Sequence, residues 1–152
     1  MNGMNEFVSL MKPELIITVI IFVLLFIKLS EEIKNDSLLP IIQFFLLFNL
    51  IAGFFFNAAG SLFAGMYHTD PLMAVQKNIL NLGVFLISLL FADWFKKTDH
   101  LAEFFILMLS ALLGMFFLIS SGNFLMFFLS LELATIPVAA MANFDLEKKN
   151  IF

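Results

Sequence analysis

Five long apolar runs, separated by short polar segments, dominate the hydrophobic pattern of the chain. They cover approximately residues 14–29, 38–56, 72–92, 101–119 and 123–144. An α-helix rises 1.5 Å per residue, so a run of this length reaches about 30 Å, which is the thickness of a bilayer's hydrocarbon core. The pattern predicts an all-α, polytopic transmembrane helix bundle with about five spans, forming a single domain over residues 1–152.

The first run is the shortest and has the least certain boundaries. Its uninterrupted apolar part is Leu15–Ile27. We expect the helix to begin further upstream, as far back as Phe7, or Lys28 to extend its ammonium group to the interface. A cleaved signal peptide is the alternative, but Lys12 stands alone where a basic n-region is expected, and no small-x-small cleavage site follows.

Turn and capping signals separate the later runs. Asp70 followed by Pro71 is typical of a helix N-terminus. Tyr67, in the preceding loop of residues 57–71, is suited to anchor the chain at the level of the lipid headgroups. The link between the fourth and fifth runs, residues 120–123, is very short and ends in a glycine and an asparagine that suit a helix end and a new cap. Those two helices must therefore be antiparallel neighbours.

Composition supports a membrane protein and excludes several kinds of chemistry. The chain is 62% hydrophobic and 13% charged, and its mean hydropathy is +1.03; a soluble domain of this size cannot bury so much apolar surface. It has no cysteine to ligate an iron–sulfur cluster or zinc, its two histidines lie far apart in different loops, and no glycine-rich phosphate loop occurs. We therefore expect no cofactor, metal, nucleic acid or soluble small-molecule substrate on this chain.

The lysines predict the orientation of the bundle. Five spans place the loops alternately on two sides of the membrane, and one side then receives six lysines: Lys28, Lys34, Lys96, Lys97, Lys148 and Lys149. The other side receives Lys12 alone. Because cytoplasmic loops are enriched in lysine and arginine, the N-terminus is predicted outside and the C-terminus in the cytoplasm.

Glu132 is the strongest candidate for a functional residue. It lies near the middle of the fifth run, where an ionisable side chain costs about 2.5–3.5 kcal/mol unless it faces protein or water. Ser121, Thr135 and Asn143 fall near it in helical projection, and Pro137, which cannot donate a backbone hydrogen bond, is expected to kink the helix nearby. The pattern indicates a proton site, although a buried acid that only packs against a neighbouring helix is the alternative.

Lys77 is a second charge within a predicted span. It shares one face of the third helix with Asn81 and Ser88, and its depth in the membrane is close to that of Glu132. An ion pair between Lys77 and Glu132, contributing to the same proton path, is one hypothesis. The other is that Lys77 extends outward to the headgroups.

Three stretches of the chain resemble a known family. They are PELIITVIIFVLLF (residues 13–26), TDPLMAVQKNILNLGVFLISLL (69–90) and GMFFLISSGNFLMFFLSLELATIPVAAMANF (114–144). The last, with its L-E-L core and the proline that follows, is similar to the antiporter-like membrane subunits of respiratory complex I, and most of all to the N (subunit 2-type) subunits of bacterial NADH-quinone oxidoreductase. Those subunits have roughly fourteen helices, so the chain resembles their N-terminal third.

The resemblance implies a proton-translocating subunit in a bacterial inner (plasma) membrane, part of an enzyme complex but without a redox site of its own. Glu132 then matches the family's fifth-helix glutamate, which pairs with a lysine on a later helix. NAD, FMN, iron–sulfur clusters and quinone are expected in other subunits, and the partners are the other membrane-arm subunits and the lipid bilayer. Two alternatives remain: a subunit of a cation/proton antiporter or membrane-bound hydrogenase, and a non-catalytic anchor or assembly subunit.

Overall fold

The computed structural model describes residues 2–30, 35–55, 59–97 and 100–150, and these residues form helices and one short hairpin. The helices are α1 (Asn2–Leu10), α2 (Lys12–Ser30), α3 (Asn35–Phe55), α4 (Pro71–Leu90), α5 (Ala92–Lys97), α6 (Leu101–Ile119) and α7 (Phe124–Asn150). Between α3 and α4, β1 (Gly60–Leu62) pairs antiparallel with β2 (Tyr67–Thr69).

Five of the described helices are long and apolar enough to cross a membrane: Lys12–Ser30, Ser37–Phe54, Pro71–Leu90, Leu101–Ile119 and Phe124–Asn143. They coincide with the five apolar runs to within two residues at each end. The prediction of an all-α transmembrane bundle is therefore confirmed. Its orientation in the membrane stays a prediction, and Lys34, one of the lysines behind it, lies outside the described residues.

The first span extends upstream of its apolar run, as expected from the shortness of that run. α1 leads almost directly into α2: the Met11 amide donates to the Phe7 carbonyl at 3.1 Å, and the Met11 carbonyl accepts from the Leu15 amide at 2.9 Å. The backbone thus stays hydrogen-bonded through the junction, and Glu14 lies inside a continuous helical region instead of at an exposed helix end.

The caps predicted at Asp70 and Asn123 are present, whereas α6 ends at Ile119 with Ser120 in the cap position, so Gly122 does not close it. The Asp70 side chain accepts from the Met73 amide at 2.8 Å with Pro71 as the first helical residue of α4, and Asn123 Oδ1 accepts from the Met126 amide at the start of α7. The segment before α4 is more ordered than the predicted loop, because it forms the β1–β2 hairpin. Its turn contains three residues with positive φ, the last of which is Gly65 (87°).

Helix α6 lies at the centre of the bundle and packs against α7, α2 and α4. As the short link predicts, α6 and α7 are antiparallel neighbours and share the most extensive contact of any two helices in the described chain. The main hydrophobic core lies between α2, α3, α5 and α6 and consists of Ile17, Ile20, Leu24, Leu38, Leu39, Ile42, Leu46, Phe95, Leu101, Phe105, Met108, Leu109, Leu112 and Phe116.

The two ends of the bundle differ in character. At one end, here called the lysine end, Lys28 at the close of α2 pairs with Glu103 at the start of α6 at 2.6 Å. The pair is partly exposed, so it contributes at most about 1 kcal/mol. The opposite end, called the hairpin end, carries β1 and β2, which contact the close of α6.

Gly114 allows the close approach of α6 and α7. A Cβ atom built at this position would lie 2.7 Å from the Leu133 carbonyl carbon and 2.8 Å from Ala134 Cα, both backbone atoms of α7. These distances are shorter than any that real Cβ atoms tolerate, so the two helices must separate if the glycine is replaced. The Ser110/Gly114 spacing is of the small-xxx-small type that permits such contacts in membranes.

We expect Gly114→Ala to lower the free energy of unfolding in mixed detergent micelles by about 1–3 kcal/mol, because overpacking forces the backbones apart. Gly83→Ala is the matched control: it lies inside α4 with open space around its Cα, so alanine should leave stability unchanged or raise it by up to about 1 kcal/mol through helix propensity. Equal effects of the two substitutions would contradict the close α6–α7 contact.

Candidate functional site

Glu132 lies on the side of α7 that faces away from the rest of the chain. The helix packs on α6 through a buried face that includes Ser130 and Ala134. At 100° per residue, Glu132 is roughly 160° around the helix from Ser130. Its side chain is exposed, and no ion pair among the described residues involves it. Glu132 is the ninth of the 20 residues in the span, so its place near the middle agrees with the sequence analysis.

The surroundings of Glu132 match the predicted polar stripe only in part. Thr135 and Asn143 are exposed on α7, and the Thr135 hydroxyl donates to the Leu131 carbonyl at 2.9 Å. Ser121 does not belong to the stripe: α7 begins at Phe124, and the Ser121 hydroxyl donates to the Leu118 carbonyl at the end of α6. The prediction was wrong for Ser121, because the helical projection extended the fifth helix back through the link between α6 and α7.

Pro137 lies inside α7 on its buried side. Without an N–H group it leaves the carbonyl of Leu133, one residue from Glu132, without its usual helical donor. The helix continues on both sides of the proline. The role of Pro137 in loosening the backbone beside the acid stays a prediction.

Lys77 is fully enclosed by the bundle. Its side chain is 1% exposed, and Asn81 and Ser88, which share its face of α4, are 1% and 0% exposed. The predicted polar face of the third span is therefore real and points inward. The alternative that Lys77 extends to the headgroups is wrong, because an ammonium group at the surface would be exposed.

The partner of Lys77 is Glu14 of α2. The ammonium group donates to Glu14 Oε1 and, at 3.0 Å, to the hydroxyl oxygen of Tyr67, and it lies 4.9 Å from the centre of the tyrosine ring. The single hydroxyl proton of Tyr67 has two acceptors in reach, Glu14 Oε1 at 3.1 Å and the Leu10 carbonyl at 3.0 Å. We call Glu14, Tyr67 and Lys77 the buried triad.

The hairpin holds Tyr67 in this position. The Tyr67 backbone pairs with Ser121 in a β-bridge, the His68 amide donates to the Ser120 carbonyl at 2.7 Å, and the Gly122 amide donates to the Met66 carbonyl at 2.7 Å. Beside the ring, Leu10 and Met11 complete a small apolar cluster. The expectation that Tyr67 anchors the chain in the headgroups was wrong, since its side chain is completely buried under the hairpin end.

Electrostatics explain why the triad persists in an apolar bundle. A lone buried ammonium or carboxylate is costly, but the Glu14–Lys77 pair has no net charge and each ion has a hydrogen-bond partner. Burial and the neighbouring Glu14 carboxylate raise the pKa of the Tyr67 hydroxyl above its usual range. The hydroxyl therefore keeps its proton at neutral pH and remains a hydrogen-bond donor.

Sequence reasoning missed Glu14 and Tyr67 as members of a site. Glu14 directly follows Pro13 at the start of an apolar run, where an acid is favourable at almost any helix N-terminus. The available signal was the shortness of that run, which implied that the helix continues upstream and encloses the acid. In the structure Lys77 pairs with Glu14 and not with Glu132, and a part for Lys77 in the proton path stays a prediction.

We expect Glu14→Gln to lower the free energy of unfolding by about 3–5 kcal/mol, because it leaves the Lys77 ammonium buried without a counter-ion. Glu14→Gln combined with Lys77→Gln removes both charges at similar volume and should be clearly less destabilising than the single change. The measurement is reversible unfolding in mixed detergent micelles. A double variant as unstable as the sum of its two single variants would contradict a coupled pair.

Comparisons with known proteins add an independent observation. The chain is 50% identical over 88 residues to NADH-quinone oxidoreductase subunit N of Phocaeicola vulgatus, a match that covers 56% of the chain and 19% of that relative. It is 36% identical over 94 residues to the subunit N of Azobacteroides pseudotrichonymphae, covering 60% of the chain and 20% of the relative.

A longer match is 31% identical over 130 residues to NADH-quinone oxidoreductase subunit N 1 of Aquifex aeolicus, covering 83% of the chain and 28% of the relative. No protein-family profile and no solved structure matches the chain. The matched region spans about a fifth of the length of the first two relatives. The resemblance inferred from the sequence is confirmed: over this partial region, the chain is similar to subunit N of NADH-quinone oxidoreductase.

Proposed function

We propose that this chain forms part of a proton-translocating membrane-arm subunit of NADH-quinone oxidoreductase, respiratory complex I. Glu132 is the proton-carrying group in this proposal. The observation that carries it is a carboxyl group near the centre of a membrane-length helix, on the face that the chain itself leaves open. The similarity to subunit N supports the assignment to this complex.

The position of Glu132 requires a covering partner. A carboxyl group facing lipid at this depth costs about 2.5–3.5 kcal/mol or more. In the assembled membrane, either another protein segment or water must therefore cover it. Burial disfavours a carboxylate and a nearby cation favours it, and the balance between the two lets a carboxyl group gain and lose a proton. The resemblance implies that a lysine on a later helix supplies the cation.

In this proposal, electron transfer takes place in other subunits of the complex. The chain contains no cysteine for iron–sulfur ligation, and we place NAD, FMN, the iron–sulfur clusters and quinone in other subunits of the complex. The chain's partners are then the neighbouring membrane-arm subunits, and its location is the bacterial plasma membrane. It is part of an enzyme without holding a redox site.

We expect Glu132→Gln to abolish or strongly reduce proton pumping driven by NADH oxidation in inverted membrane vesicles, because glutamine cannot take up a proton. Glu103→Gln is the matched control: it makes the same carboxyl-to-amide change at the lysine end, where it removes partly exposed pairs with Lys28 and His100. Pumping should persist in the control. Undiminished pumping by Glu132→Gln, with the subunit present in the complex, would favour an anchor or assembly role.

Co-purification separates complex I from the related assemblies. An affinity tag on the protein that contains this chain should recover subunits with NADH- and quinone-reducing activity after mild solubilisation. Recovery of cation/proton antiporter or hydrogenase subunits, without NADH oxidation, would assign the chain to one of those assemblies.

A further inference from the structure

In and beside the buried triad are polar atoms to which no described residue offers a hydrogen-bond partner. Glu14 Oε2 is buried and accepts no hydrogen bond, although Oε1 of the same carboxylate has two donors in reach. One turn along α4 from Lys77, both amide atoms of Asn81 are buried without partners, as is Nδ2 of Asn49 on α3. Buried polar atoms of this kind normally bind ordered water.

A narrow cavity lies beside Lys77 at the hairpin end of the bundle. Its lining includes the exposed Ser9, the half-buried Lys12, and the buried Lys77, Asn49 and Asn78. Gly53 makes room for the Asn78 side chain, since a Cβ there would lie 2.7 Å from Asn78 Cγ. Because both the exposed Ser9 and the buried Lys77 line the cavity, water that occupies it lies beside the Lys77 side chain.

The polar atoms continue along α4 beyond the triad. Lys77, Asn81 and Ser88 occupy one buried face and span about 16 Å along the helix axis. Next to the last of them, Gln43 Nε2 of α3 donates to the Ser88 carbonyl at 3.1 Å. An ion pair that served only packing would need neither a cavity at one side nor a row of polar side chains at the other.

We propose that Glu14 and Lys77 form a second proton-exchange site, supplied with water through the cavity at the hairpin end. In the exchange, an N–H bond of the Lys77 ammonium breaks and an O–H bond forms on the Glu14 carboxylate, leaving a neutral amine and a neutral carboxylic acid. The proton lies on Oε1, the oxygen that the ammonium contacts. The carboxylic acid then turns about its Cγ–Cδ bond and releases this proton to water, while water in the cavity returns a proton to Lys77 Nζ. Atoms and charge balance at each step.

The physical advantage of this pair is its constant net charge. The pair is neutral both as ammonium with carboxylate and as amine with carboxylic acid, so the transfer between them leaves no uncompensated charge in the bundle. The Tyr67 hydroxyl contacts both groups and remains hydrogen-bonded in either state. The inference rests on the proposed function for its place in a proton path, but the exchange itself can be measured without electron transfer.

Infrared spectroscopy of the full chain in lipid vesicles tests the exchange. In Lys77→Gln, removal of the cation favours the neutral acid of Glu14, and we expect a protonated carboxyl band that shifts to the deuterated frequency as soon as D₂O is added. Glu14→Gln with Lys77→Gln should lack the band, which assigns it to Glu14, and circular dichroism verifies that both variants are helical. An absent band, or a band that does not shift in D₂O, would overturn the proposal.

Proton pumping by the assembled complex then separates this inference from the proposed function. We expect the charge-free double variant to lose pumping while retaining assembly. Normal pumping by the double variant together with loss of pumping in Glu132→Gln overturns the second site and leaves the proposed function standing. Normal pumping in Glu132→Gln together with rapid deuteration of Glu14 overturns the proposed role of Glu132 and leaves the exchange site at Glu14 and Lys77 standing.

Discussion

The ion pair between Glu14 and Lys77 is the constraint on which the hairpin end of the bundle depends. It joins α2 to α4, two helices that are separated in sequence by α3 and the hairpin, and Tyr67 ties the hairpin to the same point. Removing one ion leaves the other as an unpaired charge in an apolar interior, so neither can be replaced alone without a large cost. The pair therefore ties α4 to α2 at this end of the bundle.

The fold was predictable from hydrophobic pattern because a membrane imposes a minimum length on every span. The limits of α6 and the caps at Asp70 and Asn123 were recognised directly from sequence, since each is a local signal. The hairpin was not recognised: its strands have three residues each, and part of their pairing comes from the link between α6 and α7, far along the chain. Local reasoning cannot detect a strand whose stability depends on a distant segment.

The difference between local signals and contacts from distant segments also explains which residues of the candidate site were predictable. The inward polar face of α4 was predictable, because the spacing of Lys77, Asn81 and Ser88 follows the helix period. Its acidic partner was not, because helical projection places residues around one helix but says nothing about which helix lies opposite. Similar depth in the membrane made Glu132 a reasonable partner for Lys77. Glu14 was overlooked because an acid beside Pro13 at the start of an apolar run is favourable at almost any helix N-terminus and gave no specific signal.

Glu132 and Lys77 represent two different ways of placing a charge within a membrane. The charge of Lys77 is neutralised inside the chain, so the α2–α4 region is electrostatically complete. Glu132 has no such partner among the described residues and lies on the open face of α7. A neutral pair can relay a proton but cannot hold an additional charge cheaply, whereas an unpaired carboxyl group changes its charge whenever it binds or releases a proton. The energy of Glu132 therefore depends on what lies against α7, and a cation that approaches or leaves that face would change its proton affinity directly.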